Sequence, residues 1–499
     1  MTREATPVSA IRERLGQLRV RDFFNLRMLG FALARAWTYL MFLGISTSSI
    51  TWTGVAPPPF VFIGSTIALC ATLFTGAVLH RSSARLITDP LLRFVGPLLT
   101  CLGTLCIIFA GATEPEQSSQ MSTPVLSWAN VLFMIGAAST GIGSALLMLG
   151  FGELYRTVEP LKTGFETPFA FLIAALCSFI ISAVPIALAC VICTCLPLTS
   201  GLLLIQQLAQ KASDTPQSLH EVHLGKFSWK IGLCACLVGL ADGVVRATFL
   251  FNSAVSVGDF YRFPLVLAAL LGFVIIGSCL SLEREGGLRS VYKAVMLVMA
   301  VFFMLLPVFT GFLLVESAIA LAGYGTFNAL IWIILAEMSY TFRLSSMMVF
   351  GIGWGMVSFG VFLGSSVGQM LLTLAPFSPQ ILSLIALLAT ATILVSYMFV
   401  FRERDLMGLI KPDKKEEAAP QLHRFYERCR RIAEKHQLSP KETEIMVLYA
   451  KGRSSVHIQK ELFISRGTCT THLRHIYQKL GVHDKQEFLD MIENYRPEV

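Results

Sequence analysis

Two sets of side chains in this sequence have types and spacing suited to chemistry, and both suit recognition rather than catalysis. The first runs through the carboxyl-terminal tail: Ser465, Arg466, Thr468, Thr470, Thr471, Arg474, His475 and Lys479. Hydroxyls, guanidiniums, an imidazole and an ammonium so close together form the donor-rich, cationic set that meets phosphate oxygens and base edges. The second set lies inside long apolar runs. Asp242 and Arg246 stand one helical turn apart and can pair across i,i+4, while Arg35 stands alone in the first run. Ionisable groups in such surroundings are costly and mark pathways or ligand sites by default. The plainer reading is a charge pair that fixes helix packing, with Arg35 stretching towards headgroups.

Catalysis finds no comparable set. The sequence offers no nucleophile–base arrangement in a polar setting, no metal box and no phosphate-cradling glycine loop, so an enzyme, a cofactor and a metal are all unexpected. Cys190, Cys193 and Cys195 come nearest to a metal pattern, but they sit mid-run without nearby His or carboxylate. Gly351-x-Gly353-x-Gly355 lies inside an apolar run of lipid length, the wrong context for a dinucleotide. Ten of the twelve cysteines fall between Cys70 and Cys279 in apolar stretches. They read as small hydrophobes in packing, not as a disulfide framework.

Composition says what must position these groups. Of 499 residues 54% are hydrophobic and 14% charged, where a soluble chain carries about 25% charged residues. The charge is concentrated at the end: residues 402–499 hold 19 Lys/Arg and 15 Asp/Glu. Lipid is the solvent of one part and water of the other. Runs of about 20 apolar residues, the length that crosses a hydrocarbon core, lie near 28–48, 60–80, 91–111, 126–150, 168–184, 186–205, 228–250, 262–282, 291–312, 316–336, 347–372 and 379–401. The fifth and sixth are one stretch split at Val184-Pro185, so eleven spans is the alternative to twelve. Residues 1–25 are polar and Arg-rich, unlike a cleaved signal peptide.

Basic residues sit at alternate exits: Arg12, Arg14, Arg19 and Arg21 before the first span, then Arg81 and Arg85, Arg156 and Lys162, Lys211 and Lys226, Arg284 and Arg289, Arg343, and Arg402, Arg404 and Lys411. The intervening loops hold almost none. This distribution predicts both termini on the cytoplasmic side, and it independently favours an even number of spans. Gly136, Gly141 and Gly143, and later Gly351 through Gly364, mark faces where helices approach closely.

The tail has its own pattern. After a charged linker, residues 421–437 read as an amphipathic helix with Leu422, Phe425, Cys429, Ile432 and His436 on one stripe. It suits packing on the domain after it or pairing with a second copy. Ser439 and Glu442 form a capping box at the head of the next helix, which Gly452 ends. A short helix is predicted over 455–462, then a turn. Ser465 caps a longer helix over 466–480, ended by Gly481, and Asp484 caps a last one. Helix, turn and helix at this spacing make a helix-turn-helix. In the long helix Cys469, Leu473, Ile476 and Leu480 form the buried stripe, which turns Thr470, Thr471, Arg474 and Gln478 outwards. Between Ile445 and His483 there are six cations and one acid, the footprint expected for phosphates.

Over about 55 residues this tail resembles the LuxR-type DNA-binding domain, through Leu438-Ser439, Glu442, Ala450-x-Gly452-x-Ser454, Leu462-x-Ile464-Ser465, Thr468, His472-Leu473, Ile476-Tyr477-x-Lys479-Leu480-Gly481-Val482 and Glu487. The resemblance implies that Thr470, Thr471 and Arg474 meet bases and that Ser465, Thr468 and Lys479 meet phosphates. The family's usual Lys two residues after the Thr is Thr470 here. The loops after spans two and eight (Gly76, His80, Arg81, Arg85; Glu283, Arg284, Gly286, Arg289) resemble the repeated loop motif of the major facilitator superfamily, in degenerate form.

The expected fold is thus all-α: a polytopic bundle of about 12 spans in a 6+6 arrangement, followed by a small four-helix LuxR-type domain. The expected division is 1–25, a basic amino-terminal segment; 26–401, the membrane domain; 402–437, linker and amphipathic helix; and 438–495, the helix-turn-helix domain. These features predict a transcription regulator embedded in a bacterial inner membrane. Its expected partners are double-stranded DNA in the major groove, the lipid bilayer, an unknown small-molecule effector, and a second copy when bound to DNA. The alternative is a secondary transporter with a regulatory DNA-binding tail.

Overall fold

The structure, a computed structural model, describes residues 24–42, 59–79, 93–113, 128–212, 229–250, 257–282, 289–309, 313–341, 344–374, 379–400, 428–450, 454–462 and 464–494. The chain divides into two compact units, Met1–Ile410 and Lys411–Val499. The basic segment before residue 24, the loop residues His80, Arg81, Arg85, Arg284 and Gly286, and the linker 402–427 lie outside the described residues.

Among the described residues the first unit carries twelve long helices: α1 (Leu26–Phe42), α2 (Pro59–Val78), α3 (Val95–Thr113), α4 (Trp128–Tyr155), α5 (Pro160–Ser182), α6 (Ile186–Ala212), α7 (Trp229–Leu250), α8 (Val257–Leu282), α9 (Arg289–Leu305), α10 (Leu313–Thr341), α11 (Ser346–Leu374) and α12 (Pro379–Val400). Eight of them are long and apolar enough to cross a bilayer, and three of the others carry shorter apolar stretches. The run that admitted one span or two is broken: α5 ends at Ser182 and α6 begins at Ile186, around Pro185, which cannot continue a helical hydrogen-bond ladder. α5 starts eight residues before the position that hydropathy suggests. Pro160 sits in its first turn, where the missing N–H costs nothing, and Lys162 and Glu166 disguise the opening turns as loop.

Helix neighbours repeat with a shift of six. α1 packs on α5 and α6, as α7 packs on α11 and α12; α2 packs on α4, as α8 packs on α10. α3 lies against α4 and α6, as α9 lies against α10 and α12. The two halves meet through α2 with α11 and α5 with α8, again equivalent pairs. This is a 6+6 bundle with an internal pseudo-two-fold, the architecture of repeat-built transporters.

Close approach by glycine fixes the α7–α11 crossing. A Cβ on Gly239 or Gly243 would strike the Val357 or Val361 carbonyl, and one on Gly360 or Gly364 would strike the Cys236 or Leu240 carbonyl. Each backbone occupies the space that the other leaves, so small residues act here as packing surfaces.

In the second unit, α13 (Pro440–Ala450), α14 (Ser455–Leu462), α15 (Arg466–Leu480) and α16 (Lys485–Asn494) surround one core. Cys429, Ile432, Ile445, Met446, Ile458, Cys469, Ile476, Leu480, Val482, Phe488 and Ile492 are all buried in it. Cys429 and Ile432 belong to helical residues 428–435, so the described part of the amphipathic segment packs on its own domain. Leu422 and Phe425 lie outside the described residues. α15 ends on Gly481, which takes a left-handed φ of 70° where an L side chain would be strained.

Gly360→Leu should therefore destabilise the bundle by about 1–3 kcal/mol or more through overpacking, seen as a lowered thermal midpoint of tryptophan fluorescence in detergent. Gly325→Ala, where nothing lies within 4 Å of the added methyl, should leave that midpoint unchanged or raise it.

Candidate DNA-binding surface and intramembrane polar site

The helix-turn-helix is set by two caps. Ser439 donates its N–H to Glu442 Oε2 at 2.8 Å and its Oγ accepts from the Glu442 N–H at 3.2 Å, a reciprocal capping box that starts α13. The Ser465 Oγ accepts from the Thr468 N–H at 3.1 Å and starts α15. α15 then buries Cys469, Ile476 and Leu480 and half-buries Leu473, the stripe that the heptad-like spacing required.

Every candidate contact residue of the tail lies on the exposed side of α15 or at its cap: Ser465, Arg466, Thr468, Thr470, Thr471, Arg474, His475 and Lys479 are all exposed. Their hydrogen bonding differs. Thr470 and Thr471 donate their hydroxyl protons to the carbonyls of Arg466 and Gly467, one turn back, at 2.9 Å each. Their oxygens keep lone pairs for an outside donor, and their methyls are free for apolar contact with a thymine methyl. No hydrogen bond or ion pair engages Arg474 among the described residues.

Lys479 is more occupied than its place in the sequence suggests. Its ammonium pairs with Glu442 at 2.8 Å and donates to the Gln437 carbonyl at 3.2 Å. His475 Nδ1 stands 3.8 Å from the other Glu442 oxygen. Glu442 thereby joins α13 to α15, and sequence reasoning saw only its capping role. Burial alone would raise its pKa, but hydrogen bonds from Lys479 and Ser439 and the Lys479 charge outweigh that and hold it down at about 2. The cations Lys451 and Arg453 lie outside the described residues.

In the membrane unit, Arg35 is 4% exposed, midway along α1. Its guanidinium lies 4.8 Å from the Phe171 ring centroid, 5.2 Å from Trp354 and 5.8 Å from Tyr39. Among the described residues its Nε has no hydrogen-bond partner. Cation–π contacts return about 0.5–2 kcal/mol each, against a cost of several kcal/mol for a charge taken out of water. Arg35 lines a cavity of about 100 Å³ bounded by α1, α2, α4, α10 and α11, with Ser65, Thr66, Ser144, Tyr324 and Trp354 on its walls. Asp242 is buried on α7. Arg246 is helical, one turn on, but its side chain is not among those described. The structure thus places Arg35 on this cavity, and Asp242 is not among its lining residues.

Towards the start of α1, aromatic rings from both halves meet. Phe31 stacks on Trp332 at 4.4 Å, Trp332 meets Phe350 at 4.6 Å, and Tyr155 stands edge-on to Trp332 at 5.9 Å. Beyond them lie two polar ties that sequence reading missed. Glu166, fully buried, takes Arg27 at 2.6 Å and Asn25 at 2.8 Å. Glu153 takes Arg156 at 2.7 Å and accepts from Ser346 Oγ, across the halves, at 2.6 Å. Carboxylates inside or at the ends of apolar runs were the signal. Among the described residues no three His, Cys, Asp or Glu side chains gather as a metal site. Cys190 and Cys193 are buried while Cys195 faces outwards.

Comparison with known proteins agrees with both units. Residues 436–492 match the family model of bacterial regulatory proteins, luxR family. Over 53 residues the chain is 40% identical to proteins of Mycobacterium tuberculosis and Mycobacterium bovis described as HTH-type transcriptional regulators, a stretch that is 11% of this chain and 6% of theirs. The bundle superposes on a bacterial homologue of the iron transporter ferroportin in an outward-facing state with a TM-score of 0.53 and 16% identity, over 77% of this chain and 98% of that one. A Major Facilitator Superfamily transporter, FucP, in its outward conformation aligns at a TM-score of 0.45 and 14% identity, over 75% and 97%.

Because the Glu442 carboxylate is stabilised in the folded state, its contribution is full above pH about 4.5 and is lost as the pH falls towards about 2. Glu442→Gln should lower the stability of the tail domain by about 1–3 kcal/mol at neutral pH. The gap to the unaltered domain should close below pH 3 in chemical denaturation followed by circular dichroism.

Proposed function

We propose, from a luxR-family DNA-binding domain at residues 436–492 and a major-facilitator-like bundle on one chain, that this protein is a membrane-embedded transcription regulator. The observation that carries the reading is the capped α15, whose solvent face holds Thr470, Thr471, Arg474 and His475. α15 enters the major groove, as the second helix of such a motif does. Thr470, Thr471 and Arg474 read base edges, with His475 at the margin. Ser465, Arg466, Thr468 and Lys479 hold phosphates, Lys479 sharing its ammonium with Glu442. Two copies bind together on DNA, because helix-turn-helix proteins usually read paired half-sites.

The bundle is the sensing part. A small molecule or membrane signal acts by preferring one packing of the two halves, and residues 402–437 carry the change to the DNA-binding domain. Cationic loops at alternate exits support a bacterial inner-membrane location with both termini in the cytoplasm, which keeps the tail on the side of the chromosome. The first test is truncation: residues 402–499 alone should bind the genomic fragments that the intact protein occupies, without response to the signal. A tail that binds no DNA in low salt overturns the reading.

A second reading, a secondary transporter whose tail regulates its own expression, is favoured by the fold shared with a transporter homologue and by Asp242 buried in α7. Proton-coupled uptake into vesicles, lost in Asp242→Asn, would promote it over the first.

Arg474→Ala should cost about 1–3 kcal/mol of binding to the preferred site and flatten the sequence preference, measured by competition against altered fragments. Thr470→Lys should raise affinity and steepen the log–log salt dependence by about 0.9, one phosphate's worth. An unchanged slope would mean that position 470 points at bases.

A further inference from the structure

We propose that the Arg35 cavity is a binding site for a small organic monocarboxylate with a flat, unsaturated body. The inference rests on reading the bundle as the sensing part and names the ligand that this part would take. Three observations converge on it. Arg35 is 4% exposed, lines the cavity and has a buried Nε without a hydrogen-bond partner among the described residues. A carboxylate meets a guanidinium through two parallel N–H···O bonds along one edge, and Nε belongs to such an edge. Arg35 is also the one charged side chain among the residues lining the cavity. One buried positive charge is matched by one negative charge. A phosphate would bring close to two into the same low-dielectric space, leaving the surplus unpaired.

The walls specify the rest of the molecule. Trp354, Tyr324, Phe62 and Phe42 supply aromatic faces, which favour a flat apolar body over a branched or heavily hydroxylated one. Thr38, Thr66 and Ser144 already donate their hydroxyl protons to Ala34, Phe62 and Gly141 carbonyls. They therefore offer lone pairs to the cavity and accept from a ligand hydroxyl or amine, but they do not compete with Arg35 for the carboxylate.

The experiment uses the full chain in lipid nanodiscs and follows quenching of tryptophan fluorescence, since Trp37 and Trp354 line the site. The probes are benzoate, benzamide and benzylammonium, which share a ring and differ in charge. Saturable quenching by benzoate, at least tenfold tighter than by benzamide and undetected with benzylammonium, is the expected result in the unaltered protein. Arg35→Gln should abolish the difference between benzoate and benzamide. Arg35→Lys should keep the preference for the anion with weaker affinity, because the charge remains and the two-bonded edge is lost.

Equal affinity for benzoate and benzamide, benzoate binding unaffected by Arg35→Gln, or no saturable binding of any probe up to millimolar concentration would each overturn the site. The probe comparison needs no variant, so a misfolded Arg35→Gln protein does not protect the proposal. DNA binding measured on the same preparation separates the two readings. Lost probe binding with DNA binding intact sinks the site alone; benzoate binding with no DNA binding at any salt sinks the regulator reading and leaves the site standing.

Discussion

Hydrocarbon offers no hydrogen bonds, and that constraint shapes the larger unit of this protein down to single hydroxyls. Every backbone donor must find its acceptor inside the segment, so the lipid-facing chain is helical. The side-chain hydroxyls follow the same rule. Thr66, Thr72, Thr100, Thr104, Ser178, Thr194, Thr390 and Ser396 each donate to the carbonyl four residues earlier in their own helix. Fewer bind between helices: Trp37 reaches Thr104 Oγ1 at 3.0 Å, Ser65 and Thr140 meet at 3.1 Å, Ser178 also reaches the Ala36 carbonyl at 3.3 Å, Ser200 reaches the Gly30 carbonyl at 2.8 Å and Ser346 reaches Glu153 at 2.6 Å. Cohesion comes also from close backbone approach, as at the glycines of α7 and α11, and from aromatic packing.

That economy gives the charged groups their meaning. A bundle that spends its polar groups inside single helices has little to offer an ion, and the described ion pairs of the membrane unit lie where α1, α4 and α5 begin or end. There Glu166 and Glu153 draw α1 to α5 and α4 to α11, and the Phe31–Trp332–Phe350 ring contacts join both halves. Arg35 breaks the pattern. It lies deeper than either tie, with three rings around it and no carboxylate among the residues lining its cavity, and a structure selected for packing alone would use an apolar side chain of that volume.

Much of this was legible in the sequence, for a physical reason. Apolar length and cationic exits are strong, redundant signals, so each of the twelve described helices overlaps one of the runs, α5 starting eight residues early, and the Val184-Pro185 break is a break because proline cannot donate. The tail was legible because its caps, stripe and turns agree at every level: Ser439 with Glu442, Ser465 with Thr468, and Gly481 with its positive φ. What stayed hidden was pairing between distant residues. Hydropathy treated Lys162 and Glu166 as loop because it cannot see that Arg27, 139 residues away, neutralises Glu166. Lys479 read as a phosphate contact because nothing local shows that Glu442 shares it. Arg35 was picked out by its type, but only the fold brings Phe171 and Trp354 around it and sets it on a cavity made by both halves.

A cavity shared by both halves bears on how the two units could work as one protein. A ligand shifts an equilibrium only by its different affinity for the two states, so a sensing site must be made of parts that move relative to each other. The Arg35 cavity is built from both halves: α1, α2 and α4 come from the first, α10 and α11 from the second. The DNA-binding unit, by contrast, has a closed core of its own from Cys429 to Ile492 and capped helices. A signal would gain little by loosening it, since α15 owes its shape to contacts within that unit. On the regulator reading proposed above, a signal would act on how two such domains are presented to paired half-sites, because for tethered sites a change in spacing alters effective concentration at the second half-site without touching either recognition helix.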